Sequence, residues 1–418
     1  MNVFVFEDSQ VSRLYPITTA RPAFSITCGC LRLVDFLASL KDVTLVAAVR
    51  PYLQPITSRD HNNILTDQLN PAHTHTIVIN ARCVPCKETF AAIHDRLDNE
   101  RESVSAFDKL GNLAIGIVET SKLLGLKNST ENISELFDDT DSSSEAAPCP
   151  SFCLPHDVIH FNQKYFNENL ELLIKQRNIA QKQDGLFIAD SANVDQNISV
   201  DTCEGPVVVD AGAKIKPFAY LKGPVYVGPN CSVNEHSSIK DFVCLTNTVK
   251  AGGEIEATVI EPYSNKQHHG FLGHSYLGSW INLGAGTCNS DLKNTYGKVT
   301  AVYGGEKVST GMQFVGCFIG DYSKSAINAS IYTGKSIGVC SMLYGIVPAN
   351  VPSFVNYARS FDQITEVPPE VMITTQSRMF ARRKVEQRDV DIQLIKDMFE
   401  LTVAQRQAAK AVPGQISF

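Results

Sequence analysis

From Val209 onward every sixth residue is aliphatic: Val209, Ile215, Leu221, Val227, Val233, Ile239 and Leu245. The residues four further on are Ala213, Ala219, Val225, Cys231, Ser237, Val243 and Val249, all small or β-branched. An α-helix repeats its faces about every 3.6 residues and a strand every second residue. Neither sustains a period of six. A parallel β-helix of hexapeptides does. Three hexads close one triangular coil, with the aliphatic pointing inward on each face and the small residue near the corner.

The stretch NKQHHGFLGHSYLGSWINLGAGT, Asn265 to Thr287, continues the lattice: Phe271, Leu277 and Leu283 are spaced by six, with Ser275, Ile281 and Thr287 four further on. Asn289 to Phe314 break the period and are expected to loop out. The pattern returns at Ile319, Ile331, Ile337 and Leu343, with Ser325 as the exception, and the prolines of VPANVPSF stop it. The tail from about Pro368 to Ala411 reads as helical, with basic RMFARRK near its start.

Ahead of the repeat, NVFVFED, DVTLVAAV and HTIVINARCV read as buried strands, alternating with helical CLRLVDFLASL and ETFAAIHDRL. Such alternation implies a parallel sheet with helices on both faces. Residues 128–151 are acidic and Ser-rich, the composition of a mobile loop. A long helical stretch, FNQKYFNENLELLIKQRNIAQKQ, reads as the link between domains. The expected organisation is an α/β domain over 1–190, a β-helix over 196–355 and a helical tail over 356–418.

A net charge of -7 and a pI near 5.8 argue against nucleic acid as a partner, since phosphate binding needs a basic face. The apolar runs are too short to span a bilayer, and the first ten residues lack the basic start and apolar core of a signal peptide. A cytoplasmic location is expected. The twelve cysteines are scattered, as suits a reducing compartment. Cys83 with Cys86 and Cys149 with Cys153 have spacings that can hold zinc, but reduced thiols are the stronger reading.

Against this background His268 and His269 need a reason. A β-helix core is dry, and an inward histidine would be unsatisfied. Outward positions on such prisms face a neighbouring subunit, so a homotrimer with clefts between prisms is expected. The segment Ser264 to Thr287 resembles, without a gap, the acetyltransferase domain of bifunctional N-acetylglucosamine-1-phosphate uridyltransferases, whose pattern is S-x-x-x-H, a spacer, then N-[IL]-G-A-G-T. The resemblance implies His268 as general base, Asn282 as a substrate-binding asparagine and Ala285 as the backbone donor facing the thioester carbonyl of acetyl-CoA. The following CNSD resembles the family's C-N-Y-D and would place Asn289 near acetyl-CoA. Histidine suits proton removal near neutral pH. His269 reads as a surface residue. The family's phosphate-gripping lysine pair falls on Glu256 and Ala257, its arginine near Ser238, and its substrate tyrosine on Phe271. Lys250, Lys266 or Lys293 are the substitutes available for the missing grip.

The N-terminal SRLYPITTARPAF resembles the signature of sugar-1-phosphate nucleotidyltransferases, with Arg13, Leu14, Pro16, Thr18 and Pro22 matching. The family's Gly-rich loop is replaced by EDSQVS, and its lysine by Ala23, with Arg21 nearby. The resemblance implies Arg13, Arg21, Asn80 and Arg82 at the nucleotide phosphates, with Asn80 where a metal-binding aspartate is usual and Asp157 as a further ligand for Mg2+. A divergent bacterial branch of uridyltransferase-type sugar nucleotidyltransferases shares the RP, IN-R and NK-H-GFLG elements in this order. The whole chain therefore reads as an α/β, Rossmann-like nucleotidyltransferase domain, a left-handed parallel β-helix and a helical tail. It would act on a sugar phosphate, a nucleotide and acetyl-CoA in nucleotide-sugar biosynthesis; the alternatives are that only one of the two activities is retained, or that the chain is a non-catalytic nucleotide-sugar-binding regulator.

Overall fold

The computed structural model describes residues 1–62, 64, 69–99, 105–125, 133–137 and 149–416. Most of the acidic segment 128–151 lies outside the described residues. The chain forms two compact units. The first contains Met1–Leu14, Arg21–Ile26 and Leu31–Cys153; the second contains Tyr15–Ala20, Thr27–Cys30 and Leu154–Phe418. The division therefore falls before the long helix Pro155–Arg177 and not near 190. That helix packs with the second unit: the Asn162 side chain accepts from Gly29 N at 2.9 Å and donates to Phe242 O at 2.9 Å, and the Asn169 amide donates to Cys28 O at 3.0 Å.

In the first unit Asn2–Phe6 is buried on both faces and lies between two parallel partners, Thr44–Ala48 and His75–Asn80. Such continuous apolar runs are what the interior of a parallel sheet requires. Leu113–Glu119 and Ala106–Phe107 extend the sheet antiparallel, so it is mixed rather than purely parallel. Helices Leu33–Ser39, Gln54–Asp60 and Lys87–Asp98 intervene between strands.

The second unit is the β-helix. One face stacks Leu186–Ile188, Val207–Val209, Val225–Val227, Val243–Leu245, Val259–Ile260, Tyr276–Leu277, Cys317–Ile319 and Lys335–Ile337, each parallel to the next. All fourteen residues of the seven-repeat lattice are buried, none more than 2% exposed. The excursion over 290–316 carries a hairpin, Thr300–Tyr303 with Glu306–Ser309. The tail forms helices Pro369–Arg382, Asp389–Leu401 and Val403–Ala408. Among the described residues no helix is long and apolar enough to cross a membrane.

The lattice loses residues at three corners: inward positions run from Ala251 to Ile255 in four residues, and from Ile255 to Ile260 and from Leu272 to Leu277 in five. The corner between Ser232–Val233 and Ser238–Lys240 takes residues 234–237, whereas one coil later Gly252 and Gly253 alone join Lys250–Ala251 to Glu254–Glu256. The next coil closes down on this shortened corner, and a Cβ on Gly252 would lie 2.3 Å from Gln267 O. Downstream, Ile255 pairs with Leu272, so Leu272 fills the core at 1% exposure. Phe271 points outward and is half-buried, not an inward lattice position as the spacing of six suggested.

Candidate functional site

His268 stands on the four-residue corner 267–270, between the strands Asn265–Lys266 and Phe271–Gly273. Coils here take seventeen residues: Asn265 bridges to Asn282, and Gly286 N donates to His269 O at 3.1 Å. Continuing that register sets His268 one layer from Ala285, about 5 Å along the axis. Both histidines are exposed, and the His268 Nε2 lies 3.3 Å from the Gln267 amide nitrogen. Gly286 has φ +75, and a Cβ there would lie 2.0 Å from Asn328 Oδ1 and 3.3 Å from His269 Nε2. Only glycine admits this approach, which leaves Ala285 as the residue presented between two glycines.

Lys266 is not a surface grip. It occupies the inward position that Ala251 holds one coil earlier and is 1% exposed. Its Nζ donates to Gly252 O at 3.0 Å and His268 O at 2.7 Å, tying the shortened corner to the one that carries His268. Burial pushes its ammonium down to about 8, because taking a charge out of water disfavours it.

The other residues take separate roles. Asn282 lies half-buried on the outer face, between Asn265 and Lys324 in register, and its Oδ1 accepts from the Asn265 amide at 3.3 Å. Asn289 is buried and spends its amide on Gly273, accepting from Gly273 N at 2.8 Å and donating to Gly273 O at 3.0 Å; it replaces a missing strand pair. Lys293 lies in the excursion and donates to Lys298 O at 3.1 Å. The sequence reading missed His274, whose Nδ1 lies 2.8 Å from Asp291 Oδ2 and whose ring stacks on Phe314 at 5.2 Å. These contacts clamp the neck of the excursion. Their signal was a histidine and an aspartate one coil apart.

In the first unit the nucleotide-site candidates hold one another. Arg82 is fully buried; its Nε and Nη2 reach Asp8 at 2.8 and 2.6 Å, Nη2 reaches Asp108 at 3.2 Å, and Nη1 donates to Phe152 O at 2.9 Å. Burial opposes its charge, but Asp8 and Asp108 more than restore it and raise its pKa. Asn80 donates to Asp8 at 2.8 Å and accepts from Arg82 N at 3.0 Å. The nearby Glu7 accepts from Ala23 N, Arg50 N and Arg50 Nε, each at 2.9 Å. Arg13 is exposed, with Nη1 3.3 Å from Gln10. The Arg21 carbonyl accepts from Arg50 at 2.9 Å. Asp157, in the second unit, accepts from Leu154 N at 2.8 Å and caps its own helix. Cys83, Cys86, Cys149 and Cys153 are buried free thiols.

Residues 3–178 match the family model described as sugar nucleotidyl transferase. The chain is 29% identical over 161 residues to a protein of Sulfurisphaera tokodaii named bifunctional sugar-1-phosphate nucleotidylyltransferase/acetyltransferase, covering 38% of this chain and 39% of that one. It is 28% identical over 157 residues to the bifunctional protein GlmU of an Azoarcus species, covering 29% of this chain and 34% of the relative. The chain thus spans well under half the length of the curated relatives it matches. Among solved structures, the UDP-N-acetylglucosamine acyltransferase of Francisella novicida aligns with a TM-score of 0.32 at 13% identity, over 52% of this chain and 78% of that one. The family match and the curated relatives bear out the resemblance to uridyltransferase-type sugar nucleotidyltransferases drawn from the motifs.

Proposed function

We propose that the β-helix transfers an acetyl group from acetyl-CoA to the amine of a phosphorylated sugar, and that the first unit joins a sugar-1-phosphate to a nucleotide, both in nucleotide-sugar synthesis in the cytoplasm. UDP-N-acetylglucosamine is the product class this pairing points to. His268 takes the proton as the amine attacks the thioester carbon. The Ala285 N–H donates to the oxygen that gains charge, Asn282 positions the acceptor, and Phe271 lines its approach. The observation that carries this reading is the one-coil offset between His268 and Ala285, which lets a base and an oxyanion donor flank one carbonyl. The exposed corner would be completed by a second prism in a homotrimer.

Purified protein, acetyl-CoA and a panel of amino-sugar 1-phosphates, assayed by thiol release, test it. His268→Ala is expected to lower transfer by about 10²-fold or more, with light scattering still reporting a trimer. His269→Ala should matter far less. Full transfer by His268→Ala would refute the assignment.

A second reading, acyl transfer alone, is favoured by the state of Asn80. Its amide N–H faces Asp8 and its oxygen accepts from Arg82 N, while Asp157 caps a helix. These donors do not fit a Mg2+ ligand set, which needs free carboxylate oxygens. Release of pyrophosphate from a nucleoside triphosphate and a sugar-1-phosphate separates the two readings.

A further inference from the structure

The outer face beside Asn282 carries an unusual run of charge. Lys250, Asn265, Asn282 and Lys324 occupy one register column on successive coils. They stand about 5 Å apart, so the two lysines bracket the two asparagines over roughly 14 Å. Each is half-buried. Arg383, just past the helix Pro369–Arg382, lies over this column and donates to the Asn265 side chain. Its placement is enforced. Phe380, three residues earlier, stacks on Trp280 at 4.3 Å, and Trp280 stacks on Tyr263 at 4.2 Å with an interplanar angle of 3°.

What sets these cations apart is the lack of a counter-charge. On a neighbouring face Lys222 meets Glu204 and Asp241, and Lys240 meets Glu254 and Glu256, all within 3.2 Å. Lys216 meets Glu235 at 3.2 Å. Among the described residues, no carboxylate pairs with Lys250, Lys324, Arg382 or Arg383. Burial lowers the pKa of Lys250, and Arg383 and Arg382 lower it further; burial likewise lowers Arg383, and Arg382 adds to it. Like charges held together in a half-buried groove, with amides between them, are complementary to an anion that brings its own oxygens.

We infer that Lys250 and Arg383, with Asn265 and Asn282, form a phosphate-binding site that grips the phosphomonoester of the acyl acceptor. This rests on the reading of Asn282 as an acceptor contact. It explains how the chain manages with Glu256 and Ala257 where the resembled family carries its phosphate-gripping lysines. Arg383 offers a planar fork for two phosphate oxygens and Lys250 supplies a point charge.

Calorimetric titration with glucosamine 1-phosphate, inorganic phosphate and unphosphorylated glucosamine tests the site. The expected result is saturable binding of the two phosphate compounds and not of glucosamine. Lys250→Met and Arg383→Gln should each weaken binding about tenfold, the loss typical of one charge-assisted hydrogen bond. Their thermal midpoints should stay near that of the parent, showing that the fold is kept. His268→Ala should bind as tightly as the parent. If His268→Ala also transfers acetyl normally, the catalytic reading fails while the phosphate site stands. Unchanged affinity in the Lys250→Met, Arg383→Gln double variant, or no binding of either phosphate compound at millimolar concentration, would overturn the inference. A competition arm distinguishes the donor's phosphates: displacement of bound phosphate by CoA but not by dephospho-CoA would assign the site to the donor and overturn the acceptor assignment. Equal failure of both to displace it supports the acceptor.

Discussion

Replacing Lys266 by methionine should change the pH dependence of stability in a defined way. Lys266 is 1% exposed, and burial holds its ammonium at about 8 against an ordinary 10.5. At about 1.36 kcal/mol for each pH unit, that drop is a cost to the folded state of about 3 kcal/mol. Below pH 8 the lysine is charged in both states and the folded state bears the full cost. Between about pH 8 and 10.5 only the unfolded chain keeps the proton, so stability rises with pH through this window. Above it the cost has vanished. Methionine keeps most of the volume and removes the charge, but it leaves the Gly252 and His268 carbonyls without their donor. Each buried unsatisfied group costs about 1–3 kcal/mol.

At pH 7 the two effects oppose, and Lys266→Met should sit close to the parent in stability. At pH 10.5 only the two lost hydrogen bonds remain, so the variant should be the less stable by about 2–6 kcal/mol. The difference between the two proteins should therefore shift by about 3 kcal/mol across the window. Urea unfolding at stepped pH, followed by the fluorescence of Trp280, the only tryptophan and a residue of the second unit, measures it. Lys324, which burial also lowers to about 8, titrates in the same window, but it is common to both proteins and cancels in the difference. A difference that does not vary with pH would refute the reasoning, because it would mean that the Lys266 ammonium reaches water.

Two further outcomes follow from the fold. Leu272→Ala should cost about 2–5 kcal/mol, as for a deleted core side chain, and Phe271→Ala distinctly less; urea unfolding of the pair decides which residue faces the core. Phe380→Ala should unfix the end of the helix Pro369–Arg382, raising the solvent accessibility of Trp280 to an iodide quencher and costing about 3 kcal/mol or more.

The β-helix was legible because its rule is local: over residues 207–249 each inward residue predicts the next. The rule failed at Phe271 because counting back by six from the inward Leu277 passes a corner one residue short: Leu272 and Leu277 are consecutive inward positions only five apart. The same short corner explains the misplacement of Lys266. A lysine in an outward register is a ligand candidate, but the phase change turns this one inward, against the carbonyls of two corners. His268, Asn282 and Ala285 are proposed from one gapless motif. Arg383 was beyond such a reading, since nothing local ties residue 383 to residue 265. Its position depends on the stack of Phe380 on Trp280.

The first unit shows why a matched motif does not by itself locate a phosphate site. Glu7 and Asp8 begin EDSQVS, which stands where the resembled family has its glycine-rich loop, and carboxylates repel phosphate where glycine would admit it. They are held by Arg50 and by Arg82 with Asn80. Arg82, Asp8 and Asp108 together carry a net charge of -1, so a phosphate approaching Arg82 would have to displace two carboxylates, the half-buried Asp8 and the buried Asp108. Breaking such a cluster costs about 3–5 kcal/mol. Arg13, exposed and paired among the described residues only with the neutral Gln10, meets no such barrier. If the unit transfers nucleotides, Arg13→Ala should abolish pyrophosphate release while leaving the unfolding curve unchanged. Arg82→Met should instead lower stability by several kcal/mol and lose activity only as it unfolds. Loss of pyrophosphate release in a folded Arg82→Met protein, with Arg13→Ala fully active, would place the phosphates at Arg82 after all and reverse this assignment.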